Sequence, residues 1–262
     1  MTQDLNSAAI AARSAASAAR VAIEVVDETG STNADLLARA TGLSGPLLLI
    51  ARHQNAGRGR AGRSWLSAPG ASLMFSLAWK FKGPLQELVG LPLAVGVALA
   101  EALAALDLPV QLKWPNDLLR DGRKLGGILV ETQAAPGHGV WAVIGVGVNL
   151  LMPDRLEQAI GQPVAAAPWL AQMDRNDLMA ALLSRLAAAL AEFDETGFAA
   201  FGERWNRLHA HQGLAVSIFD RGALLQQGLA AGVDRLGRLL LDTAAGRVEI
   251  ISGDVSLRPT TE

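Results

Sequence analysis

Between Arg52 and Trp65 the chain reads RHQNAGRGRAGRSW, which gathers four arginines and three glycines in one stretch. From Leu36 to Gln86 there is no acidic residue, so these guanidiniums have no partner near them in sequence and must find an anion elsewhere. A phosphate suits them. The planar guanidinium fork matches phosphate oxygens, while Gly57, Gly59 and Gly62 let the backbone approach closely and donate its own N–H groups. Residues Gly57 to Gly62 also spell GxGxxG, but the dinucleotide fingerprint needs a helix straight after its glycines, and Ser64-Trp65-Leu66-Ser67-Ala68-Pro69-Gly70 cannot sustain one. The blander alternative is a solvated basic loop or a nonspecific nucleic-acid patch.

A second segment is KWPNDLL from Lys113, followed by GRKLGGILVE from Gly122. Pro115 ends a strand and leaves Asn116 and Asp117 where a turn would expose them, placing Asp117 to hold Mg²⁺ or polar groups of a nucleotide. Lys124 opens the next strand, where a lysine is ordinarily a solvated edge charge. Gly126 and Gly127 follow it, and glycines inside a strand mark close approach of a ligand or another backbone. Ser31-Thr32-Asn33 reads by itself as a helix cap worth about 1 kcal/mol. IGVGVNL, from Ile144 to Leu150, leaves room beside its backbone, and a buried Asn149 needs hydrogen-bond partners, either structural ones or a substrate.

These residues need elements to position them. Val21–Val26, Pro46–Ala51, Ser72–Phe81, Val110–Trp114, Lys124–Thr132 and Val140–Leu150 read as strands, with Ser31 capping a helix through Ala40 and Asp121-Gly122 supplying a hairpin turn between Val110–Trp114 and Lys124–Thr132. In Ser72–Phe81, Leu73, Phe75, Leu77 and Trp79 alternate with Ser72, Ser76 and Lys80, the period of a strand with one buried face. Gln54–Gly70 lacks periodicity and reads as a long loop, mobile without ligand because its arginines repel one another. Leu85–Leu106 is apolar all round and reads as a core helix; Asp174–Phe193 and Thr196–His209 are further helices. From Gly213 the texture shifts to short strands (Ala215–Phe219, Leu224–Val233, Leu239–Asp242, Val248–Ile250, Asp254–Leu257), which suggests a small barrel. The expected division is residues 1–20 as an alanine-rich helix or disordered extension, 21–211 as the main domain and 212–262 as the barrel.

With 262 residues, half of them hydrophobic, the chain can bury a sizeable core. Its net charge of −2 gives no global attraction to a polyanion. Cysteine is absent, which excludes disulfides, thiolate zinc sites and cysteine nucleophiles and fits a reducing, cytoplasmic setting. Four histidines without HExxH spacing make a catalytic transition metal an unpromising reading. No uninterrupted apolar run reaches the roughly 20 residues of a membrane-spanning helix. The first twenty residues share the Ala, Ser and Arg richness of an organellar transit peptide, but a frayed alanine-rich helix is the simpler reading.

Taken in order, STN at Ser31, QNAGRGRAGRSW at Gln54, KWPNDLL at Lys113, RKLGGILVE at Arg123 and GVGVNL at Gly145 resemble the motifs of biotin–protein ligases. GVDRLGRLLL (Gly232–Leu241) and SGDVSLR (Ser252–Arg258) are similar to that family's small C-terminal barrel, so the resemblance spans nearly the whole chain from about Val21. It implies an α+β fold: a mixed β-sheet with helices, related to lipoate-attaching enzymes, plus a small SH3-like barrel. It also implies biotin contacts from Ser31, Thr32, Asn33, Gln54, Arg58, Gly59, Arg60, Lys124 and Gly127. ATP or adenylate contacts would come from Arg58, Arg60, Arg63, Trp65, Asn116, Asp117, Lys124 and Asn149, with Lys124, Arg60 and Arg58 catalytic and Asp117 taking Mg²⁺. Biotin and ATP would be substrates and a biotin carboxyl carrier protein or domain the partner. A homodimer is compatible with this reading. Only some thirty residues precede Ser31, too few for the DNA-binding winged helix of many family members, so no DNA partner is expected. Two other classes stand beside this one: a lipoate ligase or octanoyl transferase on the same fold, and a non-catalytic biotin-sensing regulator.

Overall fold

In the computed structural model, which describes residues 4–135, 137–161, 163–220, 222–251 and 255–259, alternating apolar segments assemble into one large mixed sheet. Its strands are β1 (Ala22–Thr29), β2 (Leu47–Gln54), β3 (Ser72–Phe81), β4 (Gln111–Lys113), β5 (Asp117–Arg120), β6 (Arg123–Ala134) and β7 (Val140–Asn149). They lie in the order β1-β2-β3-β7-β6-β5-β4. Only β1 and β2 pair in parallel, and a parallel pair needs a crossover, supplied by helix α2 (Thr32–Arg39). That connection sets the first turn of α2 over one face of the sheet.

Strand β3 departs from the expectation of one buried face, because every residue but Lys80 is buried. On one side Leu73, Phe75 and Leu77 join the main core with helices α3 (Leu91–Ala104) and α5 (Arg175–Thr196). On the other, Ala78 packs with Leu36, Leu47, Leu49, Trp141 and Val143 beneath α2. Ser76 shares that second face and is fully buried. Leu85–Ala104 is long and apolar enough to cross a membrane, yet it is mostly buried inside the fold, as a core element should be. It is not one continuous helix: Leu85–Leu88 forms a 3₁₀ turn, and α3 starts after Gly90 with Pro92 in its first turn.

Three further expectations are corrected. The residues before β5 form a second hairpin, with Lys113 opposite Asp117, so Asp117 opens a strand and is not exposed in a turn. The Asp121-Gly122 turn exists, with φ of 50° and 72°, but it joins β5 to β6 and not Val110–Trp114 to the next strand, because β5 intervenes. Thr196–His209 is a 3₁₀ turn (Gly197–Ala200) followed by α6 (Gly202–Leu208), with a helix not anticipated from the sequence, α4 (Asp154–Ile160), earlier in the chain.

The N-terminal segment is docked, not frayed. Helix α1 (Ser7–Arg13) is capped by Asn6, whose side chain accepts from the Ala9 N–H, and it buries Ile10 completely. Polar anchors fix its position on α5: Asn6 N–H donates to Asn176 at 2.8 Å, Ala15 N–H donates to Ser184 Oγ, and Arg13 pairs with Asp174 at 2.7 Å. Helix propensity foretold a helix here; burial of Ile10 is what holds it.

Strands β8 (Ala215–Asp220), β9 (Ala223–Val233), β10 (Leu239–Thr243), β11 (Gly246–Ile250) and β12 (Val255–Pro259) form a second, antiparallel sheet in the order β11-β10-β9-β8-β12. Asp254, where the last strand was expected to start, lies outside the described residues. The small sheet is tied to the residue after β4 and to α6, with Trp114 Nε1 donating to the Gly237 carbonyl and Val233 N–H donating to Asn206 Oδ1.

Candidate active site

Floor, wall and roof of one cavity come from different elements. The floor is the α2 face of the large sheet, where Gly127 pairs with Gly147, and Gly145 with Ser76 and Leu129. The lack of side chains there is required. A Cβ on Gly147 would lie 2.5 Å from the Trp65 ring, one on Gly127 would lie 3.3 Å from both that ring and Lys124 Nζ, and one on Gly145 would collide with the Asn33 amide. The glycines read from the sequence as marks of close approach therefore make room for side chains of this chain as well as for a ligand.

The wall is the start of α2. Ser31 caps the helix through Ala34 N–H, and Ser31, Thr32 and Asn33 are all buried. Burying such groups demands partners. Gln54 Oε1 accepts from the Thr32 N–H at 2.8 Å and from Thr32 Oγ1 at 3.2 Å. Ser76 Oγ lies 2.7 Å from Thr32 Oγ1 and donates to Asn33 Oδ1 at 2.8 Å. Asn33 Nδ2 donates to Glu131 at 2.8 Å, and Arg58 pairs with the other oxygen of that carboxylate at 3.1 Å. Ser76 and Glu131 went unassigned in the sequence reading. The signal for Ser76 was a serine opposite a glycine on a strand buried on both sides; Glu131 is visible only once the strands are in register.

The roof is the arginine segment, which is not the featureless loop its composition suggested. Arg58 and Ser64 bridge across an antiparallel turn, Gly59 N–H donates to the Arg63 carbonyl at 2.7 Å, and Trp65 N–H donates to the Gly57 carbonyl at 2.9 Å. Gly57 is needed at that crossing, since a Cβ there would sit 2.5 Å from the Trp65 carbonyl oxygen. The small hairpin lays Trp65 across the glycine floor, its indole N–H buried without a protein acceptor. Arg60 reaches Asn116 Oδ1 at 3.3 Å, and Asn116 donates to the Ile128 carbonyl at 2.7 Å.

Lys124 Nζ stands 2.6 Å from Asp117 Oδ1 and 5.9 Å above the Trp65 ring centre. The side chains lining the cavity include four cations, Arg58, Arg60, Arg63 and Lys124, against one carboxylate, Asp117. Such an excess in a recess built from sheet and hairpin attracts an anion. Ser31, Thr32, Asn33, Gln54, Gly59, Trp65, Asn116 and Gly127 line the same cavity. Two expected contributors stand apart. Asn149 is not among the lining residues and donates to the Ala165 carbonyl at 3.2 Å, which anchors the chain after β7. Arg52 turns away to Asp4 and Asp27.

No group of three or more His, Asp or Glu that could hold a metal ion occurs among the described residues. The cavity therefore offers Mg²⁺ at most Asp117, which faces Lys124. That fits one mode of binding, in which the ion takes its remaining ligands from phosphates and water.

Comparison with known proteins gives this arrangement a lineage. The family model "Biotin/lipoate A/B protein ligase family" matches residues 22–149, and "Biotin protein ligase C terminal domain" matches residues 221–258. The bifunctional ligase/repressor BirA of Escherichia coli is 36% identical over 90% of this chain and 74% of its own. The chain belongs to the biotin protein ligase family. The biotin–[acetyl-CoA-carboxylase] ligase of Paracoccus denitrificans is 35% identical over 87% of this chain and 97% of its own. The biotin protein ligase of Aquifex aeolicus, solved in complex with biotin and ATP, superposes with a TM-score of 0.75 at 28% identity, covering 91% of this chain and 99% of that one. Family membership accounts for both sheets: the mixed sheet with its crossover helix carries the cavity, and the small antiparallel sheet is the C-terminal module.

Proposed function

We propose that this cavity binds biotin and ATP side by side, joins them as biotinyl-5′-adenylate, and passes biotin to a lysine of a biotin carboxyl carrier protein or domain. The observation that carries the reading is the set of four cations over a floor of three glycines, beside a hydrogen-bonded polar wall. The wall suits the polar ring end of biotin, with Ser31, Thr32, Asn33 and Gln54 as its contacts. The cations suit the carboxylate end and the phosphates.

Two anions must meet for the first step. A biotin carboxylate oxygen forms a bond to the α-phosphorus of ATP, the bond from that phosphorus to the bridging oxygen breaks, and pyrophosphate leaves with the electron pair. Arg58, Arg60 and Lys124 neutralise charge on the carboxylate and the reacting phosphate; Arg63 and Trp65 hold the nucleotide. Mg²⁺, when bound with ATP beside Asp117, supplies further charge neutralisation on the phosphates. In the second step the acceptor amine attacks the acyl carbon, AMP departs and the amine gives up a proton. No enzyme-bound covalent intermediate is required, in keeping with the absence of cysteine. The hairpin roof shields the hydrolysable mixed anhydride from water between the steps. A cytoplasmic site of action belongs to the same proposal, and no DNA-binding role is assigned.

The test is transfer. With apo-carrier domain, ATP and biotin, the chain should add the mass of one biotinyl group to a single carrier lysine. Modification by lipoate or octanoate in place of biotin would overturn the substrate assignment.

A further inference from the structure

Behind the arginine hairpin, outside the cavity already described, lies a second recess of about 210 Å³ bordered by Asp4, Leu5, Arg52, Gly70, Ser72 and Arg175. It sits where β2 leads into the hairpin segment and where that segment returns to β3. Arg175, in the first turn of α5, is 7% exposed. Among the described residues its only hydrogen-bond partner is the Gly70 carbonyl, 3.0 Å from Nη2, and none of their carboxylates lies within ion-pair reach. Burial alone pushes its pKa down, with no acidic group acting in the other direction. A buried guanidinium without a counter-charge is costly, and of its five N–H donors one has an acceptor among the described residues.

A second side chain repeats the deficit. Ser72 is 6% exposed and its Oγ is buried with no hydrogen-bond partner. The other groups are already matched. Arg52 is held by Asp4 at 2.9 Å, by Asp27 at 3.0 Å and by the Leu5 carbonyl at 3.1 Å. The Asp4 carboxylate is almost fully solvated. The one charge in this recess left without an opposite is therefore Arg175, and the Ser72 hydroxyl on the same lining is free to donate.

We propose that this recess is a binding site for a small oxyanion of the phosphate class, held by the Arg175 guanidinium and Ser72 Oγ and covered by the N-terminal segment at Asp4 and Leu5. The fork geometry of Arg175 suits two oxygens of a tetrahedral anion and the serine a third. Because Arg175 also grips Gly70, the bound anion locks the downstream root of the hairpin segment to α5. The site is separate from the biotin and ATP cavity and does not depend on that chemistry.

The test is thermal unfolding of the whole chain, with the four-cation cavity filled by a saturating biotinyl-adenylate analogue, against increasing sodium phosphate matched in ionic strength by sodium chloride, and in a parallel arm with pyrophosphate. The wild-type melting temperature should rise saturably with phosphate. Arg175→Gln should abolish the response, Ser72→Ala should weaken apparent affinity by about tenfold for one lost charge-assisted hydrogen bond, and Arg60→Gln, in the other cavity, should keep it. A pyrophosphate response with no phosphate response would rule out the single-anion site. So would a phosphate response that survives Arg175→Gln or is lost in Arg60→Gln. If Arg175→Gln does not fold, the Ser72→Ala titration decides, and an unchanged affinity overturns the proposal.

Discussion

Lys124 shows how much a single residue's role depends on its surroundings. At the entrance of a strand it reads as a solvated charge, but in the fold it stands over Trp65 and against Asp117, both on the cavity wall. Lys124→Ala should lower biotin-dependent adenylation by roughly ten- to a hundredfold, the equivalent of a lost charged contact of about 1.5–3 kcal/mol. It should also lower the melting temperature a little, because Asp117 loses its counter-ion. Adding Asp117→Asn should restore the melt and not the activity; restoration of both would make Lys124 no more than Asp117's partner. Most residues of the cavity were legible in the sequence because their types are unusual for where they sit: arginines without acids, glycines inside strands. Ser76 and Glu131 were not, since a serine and a glutamate in alternating strands look like a solvated face until α2 covers one and Asn33 meets the other.

At the scale of elements, the arginine hairpin is the part whose sequence and structure diverge most. Glycine content suggested a loop without internal order, whereas cross-hairpin bonds from Gly59 to Arg63 and from Trp65 to Gly57 give it a defined form. Such short pairings arise from backbone geometry and leave no periodic trace in the side chains. The hairpin still carries exposed arginines and few buried apolar contacts, the marks of a segment that opens at low cost. Limited trypsin digestion should cut after Arg58, Arg60 or Arg63 in the free protein. Biotin with ATP, or a stable biotinyl-adenylate analogue, should slow that cleavage at least several-fold by supplying the anion those arginines face. Equal rates in saturating ligand would remove water exclusion by this roof from the mechanism. The broken helix at Gly90 and the extra hairpin before β5 were hidden for a related reason: Phe198 packs against Gly90 and Lys113 pairs with Asp117, both contacts between segments distant or reversed in the chain.

For the whole molecule, most strand segments along the chain and the change of texture near Gly213 were readable from periodicity, and the order of the strands in the sheet and the joint between the two sheets were not. At that joint His209 and His211 are buried. His209 stacks on Trp205 with ring centres 4.5 Å apart and lies 6.1 Å from His211. Desolvation lowers both to a pKa of about 4, helped at His209 by His211 and at His211 by the Lys113 charge. An unfolded chain takes up these protons near pH 6.5 and the folded one does not. The stability they contribute is thus complete above pH 6.5, declines as pH falls through 6 and 5, and stops changing below about 4. The slope is at most about 1.4 kcal/mol per pH unit for each group. Denaturant unfolding between pH 7 and 5 should follow this decline, and His209→Asn with His211→Asn should flatten it; an unchanged slope would place the protons elsewhere.

Whether the cavity under the hairpin adenylates biotin can be read from exchange of labelled pyrophosphate into ATP. Exchange should require biotin, proceed without any acceptor protein, and fall in Arg58→Ala, Arg60→Ala and Lys124→Ala with the fold retained. Exchange that proceeds without biotin, or none at saturating biotin and ATP with the chain folded, would contradict adenylation in this cavity.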